Sequence, residues 1–242
     1  KNNLTVAIPI LQKYQAKGSF FVVNRLIGKP YYMDESDIKK LIAAGMELGS
    51  HTYSHNPLAD IEEKYLSEFS DRLEIELHKL CQSFGLAGAR PLDNDDITMK
   101  FPEDLAKDYF SDAVKEFAKY PEVSLAWAGY LGMGVAKLWD IDFKAFQAVR
   151  YSDFKGKRGF DDLDERVVCE ILGYDLQSEQ AKKIADCLGS CAIAALNFIR
   201  HENIEPQSPR AYYVFARAVQ VLYRIGASIE LHLLGYHFER IS

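Results

Sequence analysis

Residues 18–22 read GSFFV, and residues 41–55 read LIAAGMELGSHTYSH. These two stretches decide the fold of the first part of the chain. Ser19-Phe20-Phe21-Val22-Val23 is a short run of aromatic and β-branched residues, the pattern of a strand buried on both faces. In the second stretch, Ile38, Leu41 and Ile42 share one face of a helix predicted over residues 33–44, with Ser36 as its candidate N-cap. Gly45 is a stop signal, and residues 46–49 lead into a second short strand. Upstream, Ala7, Ile8, Leu11 and Tyr14 predict a helix over residues 4–14, closed by Lys17-Gly18. Downstream, a further helix is predicted over about residues 61–83. Helices and strands alternating at short spacing imply a parallel sheet, hence an α/β segment.

The second strand runs directly into His51-Thr52-Tyr53-Ser54-His55. Two imidazoles separated by three residues lie one turn apart if the backbone turns helically, and can then ligate one metal ion from the same side. Neutral imidazole suits zinc, and Thr52 and Ser54 could orient the rings by hydrogen bonding. The pair stands at the carboxyl end of a strand, which is where sites form in α/β folds.

These residues resemble a known family. GSFFV resembles the "ATFFV" strand of the NodB-homology polysaccharide deacetylases, carbohydrate esterase family four. LIAAGMELGSHTYSH looks like that family's helix followed by its H-[ST]-x-x-H motif, and Asn56-Pro57-Leu58 continues in the same way. The resemblance covers about the first third of the chain. It implies a partial NodB-type barrel and a metal-dependent hydrolase that removes N- or O-acetyl groups from a sugar polymer. The metal would polarise the acetyl carbonyl and activate a water, with a base and an acid to move protons.

The family's T-F-D-D motif, which supplies the base and the third metal ligand, normally stands before a segment like residues 1–11. The chain begins after that place, so the catalytic base is unassigned and the site is expected to be incomplete here. Arg90 and Asp93, in Gly88-Ala89-Arg90-Pro91-Leu92-Asp93, are the candidates for an eroded third motif. Zinc, or another divalent metal, would be weakly held by two imidazoles, since catalytic zinc keeps three protein ligands. Asp60, Asp93 or Asp95 could add a carboxylate, and nothing in the sequence selects one. Phe160-Asp161-Asp162 repeats part of the first motif, but Asp161 reads better as a helix N-cap. Leu231-His232-Leu233 echoes a late Leu-His motif but lies inside a helical pattern.

From about residue 99 strand signals nearly vanish. Helices are predicted over residues 104–120 and 124–139, from Asp161 to a stop at Gly173, from the cap Ser178 onward, and from Ser208-Pro209 to Gly235. This predicts an all-α helical bundle over residues 99–242. Residues 1–90 would be the deacetylase-like segment, with a loop over residues 85–98 between the two. Met99 also leaves room for the two halves having separate origins. Gly129, Gly132 and Gly134 follow no strand and read as close helix packing. Tyr212, Tyr213, Phe215 and Tyr223 form a stripe that reads as core.

The 242 residues are 48% hydrophobic and 26% charged with a net charge of −6, so the chain can bury a core. There is no Lys/Arg cluster, which argues against nucleic acid as a partner. Residues 123–136 form the longest uncharged run, short of the roughly 20 apolar residues that span a membrane. Cys81, Cys169, Cys187 and Cys191 do not form a disulfide framework. They read as free buried thiols, a usage that fits the cytoplasm. The N-terminus carries no signal-peptide pattern, and localisation is otherwise open. A polysaccharide is the expected substrate. A partner chain could cover the open strand edges of a barrel fragment. The alternative is a non-catalytic binding or scaffold protein acting through the helices.

Overall fold

The computed structural model describes residues 3–23, 26–30, 32–50, 58–91, 101–206 and 208–236. The chain divides into two compact units, Lys1–Lys64 and Tyr65–Ser242.

The first unit is α/β. A π-helical turn, Asn3–Ala7, runs into α1 (Ile8–Lys13), with Pro9 in its first turn. Strand β1 (Ser19–Val22) follows, then α2 (Glu35–Ala43) and β2 (Glu47–Ser50). The two strands pair in parallel, with Ser19 opposite Glu47 and Val22 opposite Ser50. Ile8, Leu41 and Met46 form the buried core of this unit, with Leu4, Leu11, Phe20 and Met33 packed on it.

Several local expectations are corrected. The helix before β1 ends at Lys13, and Gln15, not Gly18, takes the left-handed turn at φ 53°. The cap of α2 is Asp34 rather than Ser36. Its carboxylate accepts from the Asp37 N–H at 2.9 Å, and Asp37 returns the bond at 3.3 Å, a reciprocal capping box. Gly45, at φ +77°, does stop the helix. Strand β1 is not buried on both faces. Phe21 is 65% exposed, because the described residues supply packing only on the side of the sheet that Phe20 faces. Gly49 lies opposite Phe21, and a Cβ there would sit 2.6 Å from the ring.

Helix α3 (Leu58–Ser83) starts three residues earlier than its apolar spacing suggests. From Tyr65 it belongs to the second unit, where Leu66, Phe69, Leu73, Leu77 and Cys81 enter a continuous core. That core is built by α4 (Glu103–Phe117), α5 (Pro121–Phe146), α7 (Glu179–His201) and α8 (Pro209–Leu233). Helix α6 (Leu163–Glu165) is one turn between a 3-10 turn at Phe160–Asp162 and a π-helical stretch at Arg166–Ile171. Among the described residues of this unit the extended pairing is a single bridge between Gly156 and Gly159.

The caps of α7 and α8 are as expected: Ser178 and Ser208 each accept from a backbone N–H three residues on, at 3.1 Å. Asp161 caps nothing. Its neighbour Asp162 accepts from the Arg158 N–H at 2.9 Å instead. The uncharged run is the buried stretch of α5. No described helix is long and apolar enough to cross a membrane. The glycines do serve close packing: a Cβ on Gly226 would lie 1.8 Å from the Gly129 carbonyl oxygen, and one on Gly132 would lie 1.9 Å from that of Tyr223. The backbones of α5 and α8 therefore touch. The aromatic stripe is only half core. Phe215 and Tyr223 are buried, whereas Tyr212 and Tyr213 are exposed. Both tryptophans lie on α5 and donate their indole N–H to a carbonyl at 2.7 Å, Trp127 to Phe160 and Trp139 to Phe146.

Candidate functional site

The parallel pairing of β1 and β2 puts both carboxyl ends on the same side of the sheet, level at Val22 and Ser50. Ser50 is bonded directly to His51. In sequence the histidine motif therefore follows directly on the carboxyl end of β2, the end that carries sites in α/β folds. The strand start is pinned by the Glu47 N–H donating to the Gly18 carbonyl at 3.0 Å and by the Ser19 hydroxyl donating to the Glu47 carboxylate at 2.7 Å.

His51, Thr52, Ser54, His55, Asp93 and Asp95 lie outside the described residues, so the expected convergence of the two rings rests on the sequence pattern. Asp60 falls in the first turn of α3. Arg90 is exposed in a bend that follows α3. His232 is in the last turn of α8, near Gly88. Phe160-Asp161-Asp162 is a 3-10 turn, not a strand end, so it is no second copy of the family's first motif.

The second unit holds polar groups that the sequence did not single out. On α3, Glu74 is buried and its carboxylate accepts from Nε of Arg224 on α8 at 3.2 Å and from Nη2 of the same guanidinium. One turn on, His78 is buried with no partner on Nε2, and burial lowers its pKa. On α8, Glu230 is 2% exposed, and burial raises its pKa to about 7 although Lys137 stands at 3.9 Å.

Three of the four cysteines come together. Cys81 of α3 lies 3.7 Å, sulfur to sulfur, from both Cys187 and Cys191 of α7, and all three sulfurs lie within 4.8 Å of one another. All are buried, whereas Cys169 is exposed, against the expectation that every thiol is buried. Contacts with Cys191 and Cys81 hold the Cys187 thiol low, while contacts within the trio and burial push Cys81 and Cys191 up. The i, i+4 spacing of Cys187 and Cys191 was legible in the sequence. Cys81 is more than a hundred residues away and carries no local mark of the meeting beyond its place on the apolar face of α3.

Comparison with known proteins bears on the first unit. The family model "Polysaccharide deacetylase" matches residues 1–85. A protein of Bacillus subtilis (strain 168) named "Putative polysaccharide deacetylase YxkH" is 30% identical over 75 residues, 31% of this chain and 27% of that relative. The chain thus spans about a quarter of the length of the relative it matches. No solved structure matches significantly. Residues 1–85 therefore carry NodB-type polysaccharide deacetylase homology.

Proposed function

We propose that this chain is a deacetylase-like protein directed at acetyl groups on a sugar polymer, with a divalent metal, zinc first, held at His51 and His55. The observation that supports it best is the position of the histidine motif, one residue beyond the level carboxyl ends of the parallel β1–β2 pair. That position suits a site, and imidazole suits zinc. A bound metal of this kind polarises the acetyl carbonyl and activates a water. Thr52 and Ser54 would hold the rings in orientation. A third protein ligand and a general base are not assigned within these 242 residues, so the site as carried here is incomplete, and Arg90 with Asp93 is the candidate remnant of a further motif. The outer edges of β1 and β2 have no strand partner among the described residues, and a partner chain or further strands of a longer protein would cover them.

Acetate release from acetylated chito-oligomers tests this reading, with zinc or cobalt added. Loss of a general base typically lowers the rate about a hundredfold to ten-thousandfold, so the 242-residue chain should release little acetate. His51→Ala should lower metal uptake more than turnover. Robust release that disappears in His51→Ala would mean that a carboxylate of this chain already fills the vacant role, and the incomplete-site reading would fail.

A further inference from the structure

We propose that Cys81, Cys187 and Cys191 form a second metal site, a three-thiolate cradle for a soft, sulfur-seeking cation of the zinc or copper(I) class. The site lies within the second unit and does not depend on the deacetylase reading.

Its geometry carries the proposal. Cys187 and Cys191 stand one turn apart on α7 and present both sulfurs to one side. Cys81 on α3 faces them at 3.7 Å from each. Zinc–thiolate bonds of about 2.3 Å in a tetrahedral array place neighbouring sulfurs about 3.8 Å apart, close to the spacing seen here. Two of the three sulfur pairs stand at that spacing, and the third lies within 4.8 Å. The sulfurs are sealed from water, with the three residues at most 1% exposed. Thiolate is the ligand that selects soft ions over calcium or magnesium.

No other His, Asp, Glu or Cys among the described residues joins the cluster, so three sulfurs form the protein donor set. That set suits a three-coordinate copper(I) ion, or a zinc-class ion that adds one further ligand. Each thiol that ligates gives up its proton, so uptake releases up to three protons per ion and weakens at low pH. The three thiolates and a divalent ion carry one net negative charge, and Lys183, one turn before Cys187 on α7, is a nearby cation. Because the cradle is closed, loading accompanies folding, and the ion ties α3 to α7.

The test uses the full chain, reduced, unfolded in denaturant and refolded with one equivalent of cobalt(II) or, in a separate arm under anaerobic conditions, copper(I). Expected is one ion per chain with sulfur-to-metal charge-transfer absorption in the ultraviolet, and a higher unfolding midpoint than the metal-free protein. The band should persist in His51→Ala, since imidazole ligands do not produce it. It should be lost in Cys81→Ala and in Cys187→Ala/Cys191→Ala, with far-ultraviolet circular dichroism confirming that the helices remain. Cobalt alone giving the band identifies a zinc-class site, and copper(I) alone identifies a three-coordinate one. Absence of a charge-transfer band with either ion in the unsubstituted chain overturns the proposal, leaving three packed thiols. A band that survives in Cys81→Ala overturns the three-sulfur set. The unsubstituted chain decides the first point whether or not a variant folds.

Discussion

The two units of this protein differ in what their residues are for. The first has a small core, Ile8, Leu41 and Met46, under a two-stranded sheet whose other face leaves Phe21 exposed. The second has a continuous core drawn from α3, α4, α5, α7 and α8. The family resemblance lies mostly in the first, and the apolar burial lies mostly in the second. Helix α3 belongs to both, since the family match runs to residue 85 while α3 from Tyr65 packs with the C-terminal helices. Homology and packing thus draw different lines through the same chain.

The sharpest way to break this contrast is at the α5–α8 contact. Gly226→Ala would gain up to about 1 kcal/mol of helix propensity. It would also push a methyl group into the Gly129 carbonyl, where no flexible side chain can yield. Overpacking should win, with a net loss of about 3 kcal/mol or more, measured by chemical denaturation followed by circular dichroism. A neutral or stabilised variant would mean that the two backbones are not in contact.

Matched core truncations come next. Leu77 and Leu41 are both fully buried, so Leu→Ala at either should cost about 2–5 kcal/mol. Leu77→Ala should raise amide hydrogen exchange across α5, α7 and α8. Leu41→Ala should raise it only over residues 3–50. Equal loss of protection in both units from either substitution would show that they unfold as one body.

A pH effect follows from Glu230. Burial raises its pKa from an ordinary carboxylate value to about 7 in the folded chain. The folded state then holds the proton more tightly than the unfolded state. The resulting stability is fully present below about pH 4.5 and is lost as pH rises through about 7. Lys137 at 3.9 Å opposes the shift and Asp140 adds to it. Glu230→Gln should flatten the stability slope over that window, read as unfolding midpoints at several pH values.

The smallest effects separate a cap from an exposed ring. Ser178→Ala removes the side-chain acceptor for the Ala181 N–H and should cost about 1 kcal/mol. Phe21→Ser, on the open sheet face, should stay within about 0.5 kcal/mol. A larger loss at Phe21 would reveal that something covers that face in solution.

Much of the fold was legible because it is written in local signals. Ser178, Ser208, Gly45 and Gly173 mark helix ends by backbone chemistry that acts within a few residues. The glycines of α5 signal close packing without naming the partner helix. Asp34 and Ser36 can each cap a helix, and the reciprocal bond with Asp37 decides for Asp34 only in three dimensions. The exposed face of β1 was unreadable, since an apolar run looks alike whether one side is covered or two. The thiol trio was half legible: helical spacing joins Cys187 to Cys191, while packing alone brings Cys81. The histidine pair was the clearest motif in the sequence, and it falls outside the described residues.

The placement of Trp127 and Trp139, both on α5 and both tied by their indole N–H groups, has an optical consequence. The chain has two tryptophans, so Lys1–Lys64 has none. Intrinsic emission excited at the red edge of the ultraviolet will follow the second unit and pass over the first in silence. A fluorescence melt could therefore look cooperative and complete while the histidine-bearing segment has already come apart unseen. Tyr14→Trp, at a well-exposed position on the C-cap of α1, would give the first unit its own emitter.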